Sequence, residues 1–389
     1  VDEGRNVTEP EDRQGRLWTV LGIIFVAVFA VVVVLRLLGV LWLEKYEAWP
    51  KGIMGTDTEL VAVASPWHQD EARAALGAAE RELRQVEALM SVHLEATEIS
   101  LLNQAPVGEV VELSPATLEV LRRARDFAAA SDGAFDVTVA PLLNAWARAG
   151  REKRMPTEAE LQAARQAVGW EHFELTESGA RRLRADAKID LGGIAKKHGI
   201  DEAMRAMRGR NIDGALVNVG GDIRVWGAPP TRREKWRISV RDPFNQAATM
   251  ATVEIEAGSV CTSGNYERYV MIEGRRRSHI VDPRTGEPAD MVPSVTVVGP
   301  TALEAGLWAT ALSVLGADGL ELMKAENPEL EAMIVTGSDD DFTLVVTAGL
   351  RRYLMGVAPQ YEEQLTVADL PAPGDSAEAA SAPGNGAAR

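Results

Sequence analysis

Asp190-Leu191-Gly192-Gly193-Ile194-Ala195-Lys196, read within the longer run Ala187–Asp201, is the point from which the chain can be ordered. Ala187 to Leu191 alternates polar and apolar residues like the end of a strand. Two glycines follow, and then Ile194, Ala195, Ile200, Ala203 and Met204 recur at helical spacing. A strand that turns through glycines into a helix start aims backbone N–H groups at one spot, which suits an anion. Lys196 falls on the first helical turn and Asp190 on the strand side. A phosphate-bearing ligand, a cation and a lysine all have a place there. The plain alternative is an ordinary glycine connection with a surface lysine, because short Gly-Gly turns are common.

Downstream, Gly214 to Val219 reads as a buried strand, Gly220-Gly221-Asp222 as a tight turn and Ile223 to Trp226 as the return, a hairpin pattern. Trp236 to Asp242 and Ala251 to Glu256 alternate as strands, and Ser259 to Tyr269 and Arg277 to Val281 continue the pattern. Ser294 to Val298, Ala332 to Val335 and Phe342 to Val346 are further strands, with a buried helix over Thr301 to Leu315. Upstream, Leu60 to Ala64 is a strand, and Gln69 to Met90 places Leu76, Leu83, Val86 and Met90 on one helical face. Ser114-Pro115 opens a helix that runs to about Ala130; Val139 to Trp146 reads as a short, partly helical stretch. Runs of antiparallel strands with helices between them predict an α+β fold, not a doubly wound sheet.

The 389 residues carry a formal net charge of −16, which argues against a general grip on nucleic acid. Cys261 is the one cysteine, so there is no intrachain disulfide and no cysteine metal cage. Leu17 to Leu35 is almost wholly apolar, and an apolar run continues past Arg36 to Leu43. That length crosses a hydrocarbon core as a helix, with Arg36 placed to snorkel. No small-x-small cleavage site follows, so an uncleaved single-pass anchor is expected. The domain plan is a disordered cytoplasmic stretch over 1–16, an anchor over 17–43, a folded domain over 50–358 and a disordered Ala/Pro/Gly tail over 366–389.

Chemistry-bearing residues gather beside glycines and strand ends: Met54-Gly-Thr56, Ala134-Phe135-Asp136, Asp190 to Lys196, Gly220-Gly-Asp222 and Ser278-His279-Ile280-Val-Asp282. His279 is a candidate general base with Asp282 nearby; a strand-edge histidine before an Asp-Pro turn is the plainer reading. By itself Phe135 reads as core before it reads as a ring stacked on a cofactor, and Asp222 as a turn residue before a ligand. No Walker loop, Gly-x-Ser-x-Gly elbow or zinc pattern is present.

Met54-Gly-Thr, Ser131-x-Gly-Ala-Phe-Asp, Asp190-Leu-Gly-Gly-Ile-Ala-Lys, Leu216-Val-Asn-Val-Gly-Gly-Asp, Thr262-Ser-Gly-x-Tyr, Ser278-His-Ile-Val-Asp-Pro-Arg-Thr-Gly and Ser294-Val-Thr-Val-Val occur in order. Together they resemble the ApbE-type FAD:protein FMN transferases over about residues 50 to 350. The resemblance implies that FAD is the substrate: its pyrophosphate is split, the FMN phosphoryl group passes to a Thr or Ser hydroxyl of a partner protein, and AMP leaves. It implies a Mg²⁺ ion among phosphate and carboxylate oxygens.

Carried over by position, Met54 touches FAD through its backbone. Ala134, Phe135 and Asp136 line the flavin nucleotide, and Asp190 and Lys196 hold its polar parts. His279 and Ile280 lie along the dinucleotide, and His93 stands where the family has a stacking aromatic residue. The backbone carbonyl near Gly193 and the Thr310 hydroxyl face the metal. The partner is an acceptor protein of a membrane or exported redox system, met on the outer side of the cytoplasmic membrane.

One departure stands out. The family helix carries Ala-Asp-x-x-x-Thr, whereas this chain has Ala305-Gly306-Leu-Trp-Ala-Thr310. Four residues apart on a helix is one face, so the metal loses a carboxylate. Glu304, two residues away, is a poor substitute. Asn265 also stands where many relatives have Asp. Gly306 keeps open a non-catalytic FAD-binding carrier or assembly factor, with an FAD pyrophosphatase as a third outcome. On this reading Gly306→Asp restores metal-dependent activity.

Overall fold

The computed structural model describes residues 11–37, 42–230, 234–265 and 269–370, and the side chains of all of these except 11–14 and 35–37. Of the stretches expected to be disordered, 11–16 begin a helix and 366–367 lie in a strand, whereas residues 1–10 and 371–389 lie outside the described residues. Ten α-helices are described: α1 (Glu11–Leu37), α2 (Gln69–Met90), α3 (Glu98–Gln104), α4 (Pro115–Ala130), α5 (Ala140–Glu152), α6 (Glu158–Gln166), α7 (Ala195–Arg208), α8 (Ala302–Leu315), α9 (Leu320–Glu326) and α10 (Pro359–Glu362).

A nine-stranded sheet carries the fold. Its strands run in chain order across the sheet: Glu44–Ala48, Thr58–Ala64, Gly214–Val219, Asp222–Gly227, Gly258–Gly264, Ser294–Gly299, Glu331–Ser338, Asp341–Val346 and Leu365–Val367. Every pairing is antiparallel except the last, where Leu365–Val367 joins Asp341–Val346 in parallel. Alternation sorts the side chains. Leu60, Ala62 and Ala64 face a helical layer built from α2, α7 and α8, while Val61 and Val63 face a three-stranded sheet over Trp236–Arg241, Thr249–Ile255 and Leu354–Val357. The sheet is thus buried on both faces, the α+β arrangement expected.

Local signals explain the elements. Ser114 caps α4 through the Thr117 N–H, with Pro115 in the first turn. Thr157 and Glu160 form a capping box on α6. α8 is buried on nearly all sides, as a helix apolar all round must be. The Gly220-Gly221 turn joins its strands through a two-residue loop, with both glycines at positive φ of 61° and 88°.

Several expectations change. Ala187 to Leu191 is not the end of a strand. It makes one parallel bridge, Val139 to Lys188, and Asn103 brackets Ile189: its amide donates to Ile189 O at 2.7 Å and its Oδ1 accepts from Ile189 N at 2.8 Å. A side chain stands in for the neighbouring strand, which a pattern of five residues does not reveal. α5 continues past Trp146 to Glu152, because Trp146 and Ala149 are buried and Lys153 ends it in the left-handed region. The sheet begins at Glu44 rather than near 50, and it takes in Leu365–Val367 beyond 358. Tyr361, 1% exposed, pins that last segment through its hydroxyl to Asp242 Oδ1 at 2.7 Å. Gly15–Val34, with mean hydropathy 3.0 and none of it buried, is long and apolar enough to cross a membrane.

Candidate active site

Helix α7 gathers the motifs. Its start, Ile194, supplies no side-chain cap. A Cβ built on Gly193 would lie 2.8 Å from the Phe135 ring, so only glycine lets the Ala134-Phe135-Asp136 turn close on the helix entry. Three residues on, the Lys196 ammonium meets Asp222 Oδ2 at 2.8 Å, which ties the helix to the Gly220-Gly221 hairpin. Asp222 is 1% exposed and also accepts from Thr262 N at 3.2 Å. A Cβ on Gly199, one turn further, would meet the Met54 methyl at 3.1 Å. Met54 sits at φ 50°, in the left-handed region, and its N–H donates to Glu87 Oε1 at 2.7 Å. Thr56 in turn packs against Gly220, and Gly220 N donates to Asp57 O at 2.8 Å. Residues from four distant parts of the chain therefore converge on two turns of one helix.

The matching sequence model, that of the ApbE family, spans residues 54–334. This chain belongs to the ApbE family. It is 32% identical over 283 residues to an FAD:protein FMN transferase of Vibrio cholerae, covering 71% of this chain and 83% of that protein. An FAD:protein FMN transferase of Escherichia coli is 29% identical over 276 residues, covering 69% and 78%. Among solved structures, the flavin transferase ApbE from Vibrio cholerae superimposes with a TM-score of 0.71 at 28% identity, over 80% of this chain and all of that one. The ApbE protein of Thermotoga maritima gives 0.72 at 28%, with the same coverage.

Against the positions that an ApbE protein is expected to use, the structure sorts the residues as follows. The glycine turn is not a cradle of bare N–H groups. Gly192 N donates to Asp190 Oδ1 at 2.7 Å, and Ile194 N and Ala195 N both donate to Leu191 O. The positive charge at this mouth comes from lysines and the helix start instead. Phe135 is 5% exposed and edge-on to Phe127, whose ring meets Trp308 in the same way, so its ring belongs to the core. Ala134 is buried too. Asp136 is half-buried and accepts from Thr138 N at 2.8 Å; burial raises its carboxyl above the ordinary value, against the pull of that hydrogen bond.

His279 is exposed, next to buried Ile280. Both Asp282 carboxylate oxygens receive the Arg284 guanidinium, at 2.9 and 3.0 Å. Arg284 lies over Gly133, so this loop adjoins the Ser131–Asp136 turn. His93 is exposed in the turn between α2 and α3. Thr310 donates to Gly306 O at 3.0 Å and shares a 3.3 Å hydrogen bond with Ser263. Glu304 accepts from the Thr301 hydroxyl at 2.8 Å at the start of its own helix and so faces away from Thr310. Asn265 braces a loop through its amide, which donates to Asp290 O.

Sequence reading missed Lys197. Its side chain is 7% exposed; Nζ donates to Gly193 O at 3.0 Å and lies 3.9 Å from Asp222 Oδ2. A Cβ on Gly306 would fall 2.4 Å from Lys197 Cγ, 2.6 Å from Cε and 3.0 Å from Cδ. The available signal was helical: Lys197 follows Gly193 by four residues and so lies over it.

Proposed function

We propose that this chain is an FAD:protein FMN transferase, anchored by α1 in the cytoplasmic membrane with the folded domain on the outer side. The convergence of Phe135, Asp222, Met54 and two lysines on the first half of α7 supports this reading, because residues of the family motifs meet on one helix. In the reaction an acceptor hydroxyl oxygen attacks the FMN phosphorus, the bond from that phosphorus to the bridging oxygen breaks, and AMP departs with that oxygen. The hydroxyl proton goes to a base. Lys196, fixed by Asp222, and the start of α7 attract the diphosphate. Ala134 and Asp136 line the flavin side, Met54 and Ile280 present backbone along the dinucleotide, and exposed His93 offers a ring for stacking. Asp190 shapes the turn by holding Gly192 N. His279 is the assigned proton acceptor, and its exposure suits a site that a partner protein must reach.

Magnesium does not fit the residues present. Among the described residues no group of three or more His, Cys, Asp or Glu side chains is placed to hold a metal ion. The positions expected to face it are Gly193 O, bonded to an ammonium, Thr310, bonded within its helix, and Gly306, which has no side chain. No step is therefore routed through a metal. Gly306 also supports the second reading, an FAD carrier without transfer. Incubating the full chain in detergent with FAD and an acceptor from a membrane redox system separates the two. A fluorescent acceptor band and released AMP support transfer, AMP alone supports hydrolysis, and bound FAD with neither supports the carrier.

A further inference from the structure

One departure from the family pattern, Gly306, meets a buried lysine in space. Position 306 has no side chain, and the Lys197 stem fills the volume that a side chain there would take. A side chain at 306 conflicts with Lys197 where it lies: any Cβ there falls within 3.0 Å of three carbons of Lys197, a contact that forces displacement. The ammonium at the end of that stem is buried, donates to Gly193 O, and approaches the carboxylate that Lys196 also holds. One buried carboxylate thus faces two ammonium groups at the mouth of the glycine turn.

We infer that the Lys197 ammonium is a built-in cation for the FAD diphosphate, in the position where the family resemblance calls for a divalent metal, and that FAD binding here is independent of divalent metal. The inference rests on the FAD-binding reading above. The chemistry is direct. Gly193 O, expected to face a metal, accepts from Nζ instead. An ammonium carries one fixed positive charge and three N–H donors, and phosphate oxygens are the strongest acceptors such a group meets. Because the charge is covalently part of the chain, no chelator removes it. The glycine at 306 is then the space that lets the lysine in.

The test is FAD titration of the full chain in detergent, followed by flavin fluorescence, in excess EDTA and in excess MgCl₂. The wild-type protein is expected to bind equally, within about twofold, in both. Lys197→Met keeps most of the stem and removes the charge; it is expected to weaken FAD binding by about tenfold or more, with no recovery in MgCl₂. Lys197→Ala/Gly306→Asp exchanges the ammonium for a carboxylate, and this variant is expected to bind FAD about tenfold tighter with Mg²⁺ than with EDTA. Circular dichroism establishes that each variant is folded. Wild-type binding that collapses in EDTA and returns with Mg²⁺ overturns the inference but keeps the transferase reading. A folded Lys197→Met that binds like wild type overturns it too, as does a folded double variant indifferent to Mg²⁺. No FAD binding in either condition overturns both readings together.

Discussion

The two faces of the central sheet are equally dry and do different work. On the helical face, α2, α7 and α8 bury Leu60, Ile189, Ile200 and Trp308 completely, and Met54, Ala134, Phe135, Leu191 and Ile194 of the motifs belong to that layer. On the other face, Val63, Val253, Val335 and Leu344 are as fully buried under a three-stranded sheet, yet the motif residues that reach it, Leu216 and Val298, are apolar packing residues only. Burial alone does not separate a site from a scaffold. What differs is the contact chemistry. The helical face places glycines where a Cβ would collide with Phe135, Lys197 or Met54, and it sets lysines beside a buried carboxylate. The opposite face has ordinary apolar interdigitation closed by the Tyr361–Asp242 hydrogen bond.

That contrast breaks first at Lys196. Replacing it with Met leaves Asp222 buried with its nearer counter-ion gone. Removing one partner of a buried pair is expected to cost about 3 kcal/mol, the low end for such pairs, because Lys197 stands 3.9 Å away. FAD affinity should fall in parallel. Chemical denaturation and flavin titration read the two losses, and Lys196→Met/Asp222→Asn should recover stability but not FAD binding. A variant as stable as wild type would mean that the ion pair is not what ties helix to hairpin.

Gly306→Asp is the next test. From sequence alone it reads as a repair that restores metal-dependent activity. The structure changes that expectation: the new side chain collides with Lys197, and overpacking of this kind costs about 1–3 kcal/mol. Thermal melting should show the loss in the single variant and relief when Lys197→Ala is added. Equal melting of Gly306→Asp and wild type would place Lys197 elsewhere.

This pair of residues also marks how far the sequence could be read. The hairpin at Gly220-Gly221, the helix opening at Ser114 and the helical faces were legible because each signal is local. The lost carboxylate at Gly306 was legible too, but as a defect. Lys197 looked like one more lysine on the first turns of a helix, and only the packing of α7 against α8 shows that the two positions are sides of one contact. The segment 187–191 failed for the same reason. Asn103 supplies its hydrogen bonds from far along the chain, and no pattern within five residues encodes that.

On the opposite face, Tyr361→Phe sharpens the contrast. It removes a 2.7 Å hydrogen bond to a buried carboxylate that still accepts from the Phe244 and Asn245 N–H groups. The expected loss is about 1.5 kcal/mol, in the range for bonds to charged groups, with FAD affinity unchanged. A drop in FAD affinity would join the two faces functionally and end the distinction.

The smallest expected effect lies at Asp136, and its sign is informative. Burial raises this carboxyl above its ordinary value, so in the folded state it holds its proton to higher pH than in the unfolded chain. The folded state then binds more protons in that window, and stability falls as pH rises through it. Asn at 136 keeps an oxygen to accept from Thr138 N and carries no charge. At pH below the ordinary carboxyl range, wild type and Asp136→Asn should melt alike. Above the raised value the variant should be the more stable, by on the order of 0.5 kcal/mol. Melting temperature measured against pH for both proteins isolates the difference from all other titrating groups. A gap that does not change with pH would mean that the carboxyl pays no penalty for its burial. A variant that is more stable but binds FAD less well would show a carboxylate held at the mouth against the preference of the fold, as expected of a residue kept there for the ligand.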